Sequence, residues 1–155
     1  MAQLLYGERI GKTAQLTPGC SAIIFDETRE KILLTRRTDN GRWCLPGGAM
    51  EAGESAAETC AREVFEETGL QVEVGRLIGV YTTPHRITEY ADGNRRQLVA
   101  FSFEARVIGG TLGLSDETTE VGYFSLAEIE TMDVMEHHIE RIQAALANQA
   151  AAFVR

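Results

Sequence analysis

Hydrophobic and polar residues alternate most regularly over residues 95–107. Val99, Phe101, Phe103, Ala105 and Val107 fall on one side, and Ala100, Ser102, Glu104 and Arg106 on the other. A period of two predicts a β-strand with one buried face. Residues 20–25 (CSAIIF) are a compact apolar run set between Pro18-Gly19 and Asp26-Glu27-Thr28, which predicts a buried strand entering a turn. Residues 31–35 (KILLT) predict its hairpin partner. Residues 71–81, with Val72, Val74, Leu77, Ile78 and Val80, predict one bent strand weakened at Gly75. Residues 1–16 carry little pattern and suit a short strand or an arm. Residues 82–94 (TTPHRITEYADGN) read as a polar loop with an Asp-Gly turn.

Elsewhere the apolar period lengthens to that of a helix. Between Ser55 and Thr68 no Gly or Pro interrupts the chain. Ser55 is placed to cap this helix, with Glu58 completing a capping box, and Gly69 stands where a left-handed residue ends it. Ala57, Ala61, Val64 and Phe65 share one side and predict a core-facing stripe. Residues 125–130 predict a short helix capped by Ser125, with Glu128 at the capping-box position. Residues 134–151 predict a longer amphipathic helix with Ile139, Ile142, Ala145 and Leu146 on its apolar side and His137 and His138 on its surface. Strands flanked by two main helices predict an α+β fold, a mixed sheet sandwiched between helices in an α/β/α arrangement.

Composition narrows the picture. A length of 155 residues predicts one domain over 1–155, and 44% hydrophobic with 25% charged residues is ordinary for a soluble globular protein. No run of about 18 apolar residues predicts a membrane span, and the first residues lack the pattern of a secretory signal. Three cysteines (Cys20, Cys44, Cys60) without CxxC spacing suit neither a disulfide framework nor a zinc site, so a cytoplasmic location is expected. A net charge of −8 speaks against a nucleic-acid surface.

The chemistry is concentrated in residues 48–70, GAMEAGESAAETCAREVFEETGL. Glu63, Glu66 and Glu67 follow an i, i+3, i+4 spacing and converge beside the apolar stripe. Carboxylates so close repel one another unless something positive lies between them. Hard divalent cations such as Mg²⁺ take oxygen ligands of this kind, together with waters and substrate phosphates.

This stretch resembles the signature of the Nudix (MutT-like) hydrolases, G-x(5)-E-x(7)-R-E-U-x-E-E-x-G-U with U aliphatic. Gly48, Glu54, Arg62, Glu63, Val64, Glu66, Glu67, Gly69 and Leu70 fill every defined position. The resemblance implies a mixed sheet between helices and hydrolysis of a nucleoside diphosphate linked to another moiety. It implies Mg²⁺ or Mn²⁺, one to three ions, held by Glu63, Glu66 and Glu67 with the Gly48 carbonyl, and a pairing of Arg62 with Glu54. The water-activating base differs among similar proteins, leaving Glu63, Glu66 and Glu117 open. Glu117 is the choice for a further acidic loop residue, with Glu120 in reserve.

Upstream, Trp43-Cys44-Leu45-Pro46-Gly47-Gly48 is a run common ahead of the signature in similar proteins. Trp43 is a packing residue or a base-stacking one. Arg36 and Arg37 are a solvated strand end or a contact to phosphate or to the substrate's non-reacting half. His85, Arg86 and Tyr90 are surface loop residues or part of a substrate pocket. The implied partner is a small-molecule nucleotide derivative, with no nucleic acid and no membrane; a homodimer is common among similar proteins. ADP-ribose and nucleotide sugars, nucleoside triphosphates and dinucleoside polyphosphates all remain open as substrates. The alternative class is a catalytically inactive, nucleotide-binding regulatory module on the same fold. An mRNA-decapping enzyme would call for a basic RNA path that this acidic chain lacks.

Overall fold

The computed structural model describes residues 2–155. In chain order they form β1 (Gln3–Tyr6), a 3-10 turn (Ile10–Thr13), β2 (Gln15–Ile23), β3 (Lys31–Arg37), β4 (Trp43–Cys44) and β5 (Gly47–Ala49). These are followed by α1 (Ala56–Thr68), β6 (Leu70–Tyr81), β7 (Arg86–Glu89), β8 (Arg95–Gly110), β9 (Thr118–Ser125), α2 (Leu126–Ile129), α3 (Glu136–Leu146) and β10 (Phe153–Val154).

The apolar run at residue 20 belongs to a strand that starts earlier, at Gln15, and runs parallel to β8. Pro18 sits inside it, and its carbonyl accepts the Met50 N–H at 3.0 Å. The expected hairpin with residues 31–35 exists only at its turn, where Phe25 bridges Ile32 and the Leu33 N–H donates to Ile24. Beyond the turn, β3 leaves to form a second sheet, ordered β4-β3-β9. The main sheet is ordered β1-β7-β8-β2-β5, with β6 paired to β8 and β10 to β6. Parallel β2/β8 beside antiparallel β2/β5 and β6/β8 makes it mixed.

This sheet is covered on both faces. Cys20, Ala22, Ile24, Leu33, Val72 and Ala105 pack with Cys60 and Val64 of α1. Ile23, Ile32, Leu34, Ile78 and Ala100 pack with Ile142, Ala144 and Ala145 of α3. Hence β8 departs from the one-sided burial its alternation suggested: Ala100 and Ser102 are as enclosed as Ala105, because helices lie on both sides. The result is the expected α+β sandwich.

Four local expectations are corrected. On α1, Phe65 is 51% exposed and Ala57 is also at the surface; the inward row is Cys60, Val64, Glu67 and Thr68. The helix is rotated so that its carboxylate row meets β5. Residues 82–94 are not all loop, since β7 pairs with β1 and β8 around the buried Ile87. The last long helix covers Glu136–Leu146 only and is followed by Asn148 in a left-handed conformation, φ 49°. His137 and His138 are buried rather than on the surface, since α3 lays that face on the sheet and on the segment before β5. The bend in β6 appears as register shifts on either side of Leu77, past Gly75. Among the described residues no helix is long and apolar enough to cross a membrane.

Candidate active site

The first turn of α1 is fixed by a full capping box: the Ser55 hydroxyl accepts the Glu58 N–H at 3.2 Å and Glu58 accepts the Ser55 N–H at 2.8 Å. Gly69, at φ 76°, ends the helix with its N–H on the Phe65 carbonyl. Between these ends Arg62 gathers the loop and the helix. Its Nε and Nη2 both donate to the Glu54 carboxylate, the latter at 3.0 Å, and Nη2 also reaches the Ala49 carbonyl at 3.0 Å. Its Nη1 donates to Glu63 at 2.9 Å and to Glu66 at 3.1 Å. The Arg62 hydrogen bonds hold the Glu54 carboxyl down to about 2, and Arg62 itself is raised in return.

Glu63 and Glu67 lie against β5. A Cβ built on Gly48 would stand 2.5 Å from the Glu63 carboxyl, so that carboxylate rests on bare backbone. Glu67, 8% exposed, accepts the Gly47 N–H at 3.2 Å. Burial pushes the Glu67 carboxyl up to about 8, opposed by that hydrogen bond and reinforced by the charges of Glu63 and Glu117. Glu63 is raised as well, by burial first, with Arg62 pulling it back.

Hard oxygen donors on Glu63, Glu66, Glu67 and Glu117, a glycine cradle and a surplus of negative charge around one arginine fit a divalent cation. Three carboxylates do not, however, meet at one point among the described residues. Glu63 and Glu66 turn to Arg62 and Glu67 to Gly47, so the expected convergence is split in two.

The loop before β9 sits at the far end of α1, where Thr118 Oγ1 donates to the Glu67 carbonyl at 3.4 Å. The charge of Glu117 reaches both Glu63 and Glu67. Glu120, the reserve, instead pairs with Arg36 at 2.6 Å on the exposed side of the second sheet.

Beside β5 opens a cavity of about 820 Å³, lined by Gly47, Gly48 and Ala49, by β2 and β8, and by α3. Arg37 lines it, paired with Asp39 at 2.7 Å, whereas Arg36 does not, being held by Glu120 and the Gly41 carbonyl. Trp43 lies outside, packed edge-on against Phe124 with ring centres 4.9 Å apart. Arg86 is part-buried in β7 beside a minor crevice, and burial pulls its pKa down. His85 accepts the Arg9 N–H, while Tyr90 does line the large cavity.

Arg96 and Arg141, which the sequence reading passed over, and His137 and His138, which it placed on the surface, all line the cavity. His138 Nδ1 accepts the Leu45 N–H at 3.2 Å and so positions the segment entering β5. A signal existed: His138, Arg141, Ile142 and Ala145 repeat at helical spacing and share the buried stripe of α3.

The family model described as NUDIX domain matches residues 15–145. A MutT-like protein of Streptomyces ambofaciens is 39% identical over 99 residues, 64% of this chain and 58% of the relative. An ADP-ribose pyrophosphatase of Methanocaldococcus jannaschii is 40% identical over 103 residues, 64% of this chain and 57% of the relative. The chain thus spans less than three fifths of these curated relatives. The crystal structure of an ADP-ribose pyrophosphatase from Streptococcus suis is similar with a TM-score of 0.68 and 26% identity, covering 90% of this chain and 98% of that one.

Proposed function

This chain belongs to the Nudix family, and from that premise we propose that it is a metal-dependent pyrophosphohydrolase acting on a nucleoside diphosphate linked to another moiety. The observation that carries this reading is the Arg62 clamp: one guanidinium ties Glu54, Glu63 and Glu66 to the glycine strand that lines the cavity. A bound Mg²⁺ or Mn²⁺ supplies charge neutralisation on phosphoryl oxygens and acidifies water. Glu63, Glu66 and Glu67, with the Gly48 carbonyl and Glu117, are the groups that would hold it. Arg62 and Glu54 keep that face in register, and Gly47 anchors Glu67. The proton of the attacking water passes to Glu63, Glu66 or Glu117. The cavity takes the remainder of the nucleotide. Two similar proteins named as ADP-ribose pyrophosphatases support ADP-ribose as a substrate to test, beside the nucleotide classes named for other similar proteins. Three buried free cysteines support a reducing compartment.

The test is nucleotide release from ADP-ribose, nucleotide sugars, nucleoside triphosphates and dinucleoside polyphosphates with Mg²⁺, Mn²⁺ or EDTA. Cleavage that needs metal and concentrates on one class is expected. No cleavage by a folded, metal-binding protein would favour the regulatory-module alternative.

A further inference from the structure

Across the sheet from α1 the cavity ends on α3, at a group the reaction centre does not use. Arg141 is 3% exposed, its guanidinium lies 5.5 Å from the centre of the Tyr81 ring, and only its Nη1 has a hydrogen-bond partner, the Ser21 hydroxyl at 3.2 Å. Its Nε and Nη2 have none, and neither has Nδ1 of His137, one turn earlier on the same face. Both residues line the cavity. Of the other arginines there, Arg37 pairs with Asp39 and Arg42 with Asp133 and Glu136, while Arg96, held by the Thr17 hydroxyl, is only part-buried and keeps access to water. Among the described residues no carboxylate pairs with Arg141. A buried guanidinium without a counter-charge is strongly unfavourable unless a ligand provides one. Burial, with Arg86 adding to it, lowers Arg141 to about 10, which leaves it charged at neutral pH.

We propose that Arg141, with His137 and Ser21, forms an oxyanion subsite that takes a phosphoryl group of the ligand, distinct from the one presented to the carboxylates of α1. Its position supports a ligand with at least two phosphoryl groups. Ser21 is the register partner of Gly47, the residue whose N–H holds Glu67, so subsite and carboxylates flank the same strand. A planar fork with two free donor positions suits a phosphate bidentately, and a neutral base edge would leave the charge uncompensated. This inference rests on reading the cavity as the nucleotide site.

The test uses the full chain in EDTA and chloride buffer, titrated with inorganic phosphate, pyrophosphate or acetate. Melting temperature and the Arg141 Nε–Hε NMR resonance are followed. Phosphate is expected to shift that resonance and to raise the melting temperature more than acetate does. Arg141→Met is expected to weaken phosphate binding about tenfold or more, and to melt no lower than wild type without phosphate. Arg141→Lys should fall between. Equal phosphate stabilisation in wild type and Arg141→Met, an unmoved resonance, or equal stabilisation by acetate would each overturn the subsite. Should Arg141→Met fail to fold, the wild-type resonance decides alone. Since no metal or turnover is involved, failed hydrolysis leaves this result intact, and hydrolysis with phosphate binding indifferent to Arg141 defeats the subsite alone.

Discussion

The Arg62 guanidinium closes on the Glu54 carboxylate through two of its nitrogens, joining the loop before α1 to the middle of that helix. The remaining nitrogen faces Glu63 and Glu66, so one side chain fixes the loop and aims two acids. Arg62→Ala is expected to lower the melting temperature by several degrees and turnover by roughly a hundredfold, as small displacements of reacting groups do. Glu54→Gln keeps the shape but weakens the pair, and should show the same pattern more mildly. Thermal melts with steady-state rates check both; an unchanged melting temperature in Arg62→Ala would remove the clamp.

Adjacent glycines should answer differently to alanine. A methyl on Gly47 would run into the backbone of Cys20 and Ser21, whereas the atoms nearest one on Gly48 are the end of the Glu63 side chain. Gly47→Ala is therefore expected to cost roughly 2–4 kcal/mol of stability, and Gly48→Ala no more than about 1 kcal/mol. Gly48→Ala should nonetheless lose most activity, because Glu63 must turn away. Denaturant titrations beside rate measurements separate the two effects.

Glu67→Gln removes a carboxylate that burial and two neighbouring acids already disfavour. In EDTA the variant is expected to melt at or above the wild-type temperature. With Mg²⁺ its turnover should fall by about a hundredfold or more, the scale of losing one electrostatic group at a reaction centre. Wild-type turnover at saturating Mg²⁺ would dismiss Glu67 as a ligand.

What the sequence disclosed follows from how local each feature is. Glu54, Arg62, Glu63, Glu66 and Glu67 lie within one loop and one helix, so spacing alone brings them together and α1 was capped as its residues suggested. The cavity could not be foreseen in that way. It depends on β2 lying parallel to β8 some eighty residues later and on which face of α3 docks, a choice that buried His137 and His138 against expectation and Arg141 with them. Phe65 illustrates the same limit within α1 itself: a large apolar side chain went to the surface because the row beside it had to meet the glycine strand. Strand β7 was missed because its one buried residue, Ile87, is framed by polar neighbours.

Glu117 and Glu120 are separated by three positions and by the edge of a sheet. Glu117 acts on Glu63 and Glu67 through its charge, while Glu120 is spent on Arg36 at the surface. Glu117→Gln should raise the Mg²⁺ concentration needed for half-maximal rate several-fold, and Glu120→Gln should leave rate and stability within about twofold and 0.5 kcal/mol of wild type. Mg²⁺ titrations of the two variants make the comparison; equal behaviour would place Glu117 outside the site.

Acid should weaken the fold through α3. Burial first, then the charges of Arg141, Arg86, Arg42 and Arg37, lower His137 to about 2, and burial with the charge of His137 lowers His138 well below its ordinary range. Both are neutral when folded but take up protons when unfolded below about pH 6.5. In that window the unfolded chain binds more protons, so stability is complete above pH 6.5 and falls as the pH drops towards about 2. His137 alone contributes a slope of up to about 1.4 kcal/mol per pH unit. His137→Gln removes that titration, so the stability gap between wild type and variant should shift in favour of the variant from pH 7 to pH 5. Urea unfolding at the two pH values measures the gap. A gap that stays constant would mean that His137 is reached by protons in the folded state, and the buried, neutral imidazole facing Arg141 would have to be given up.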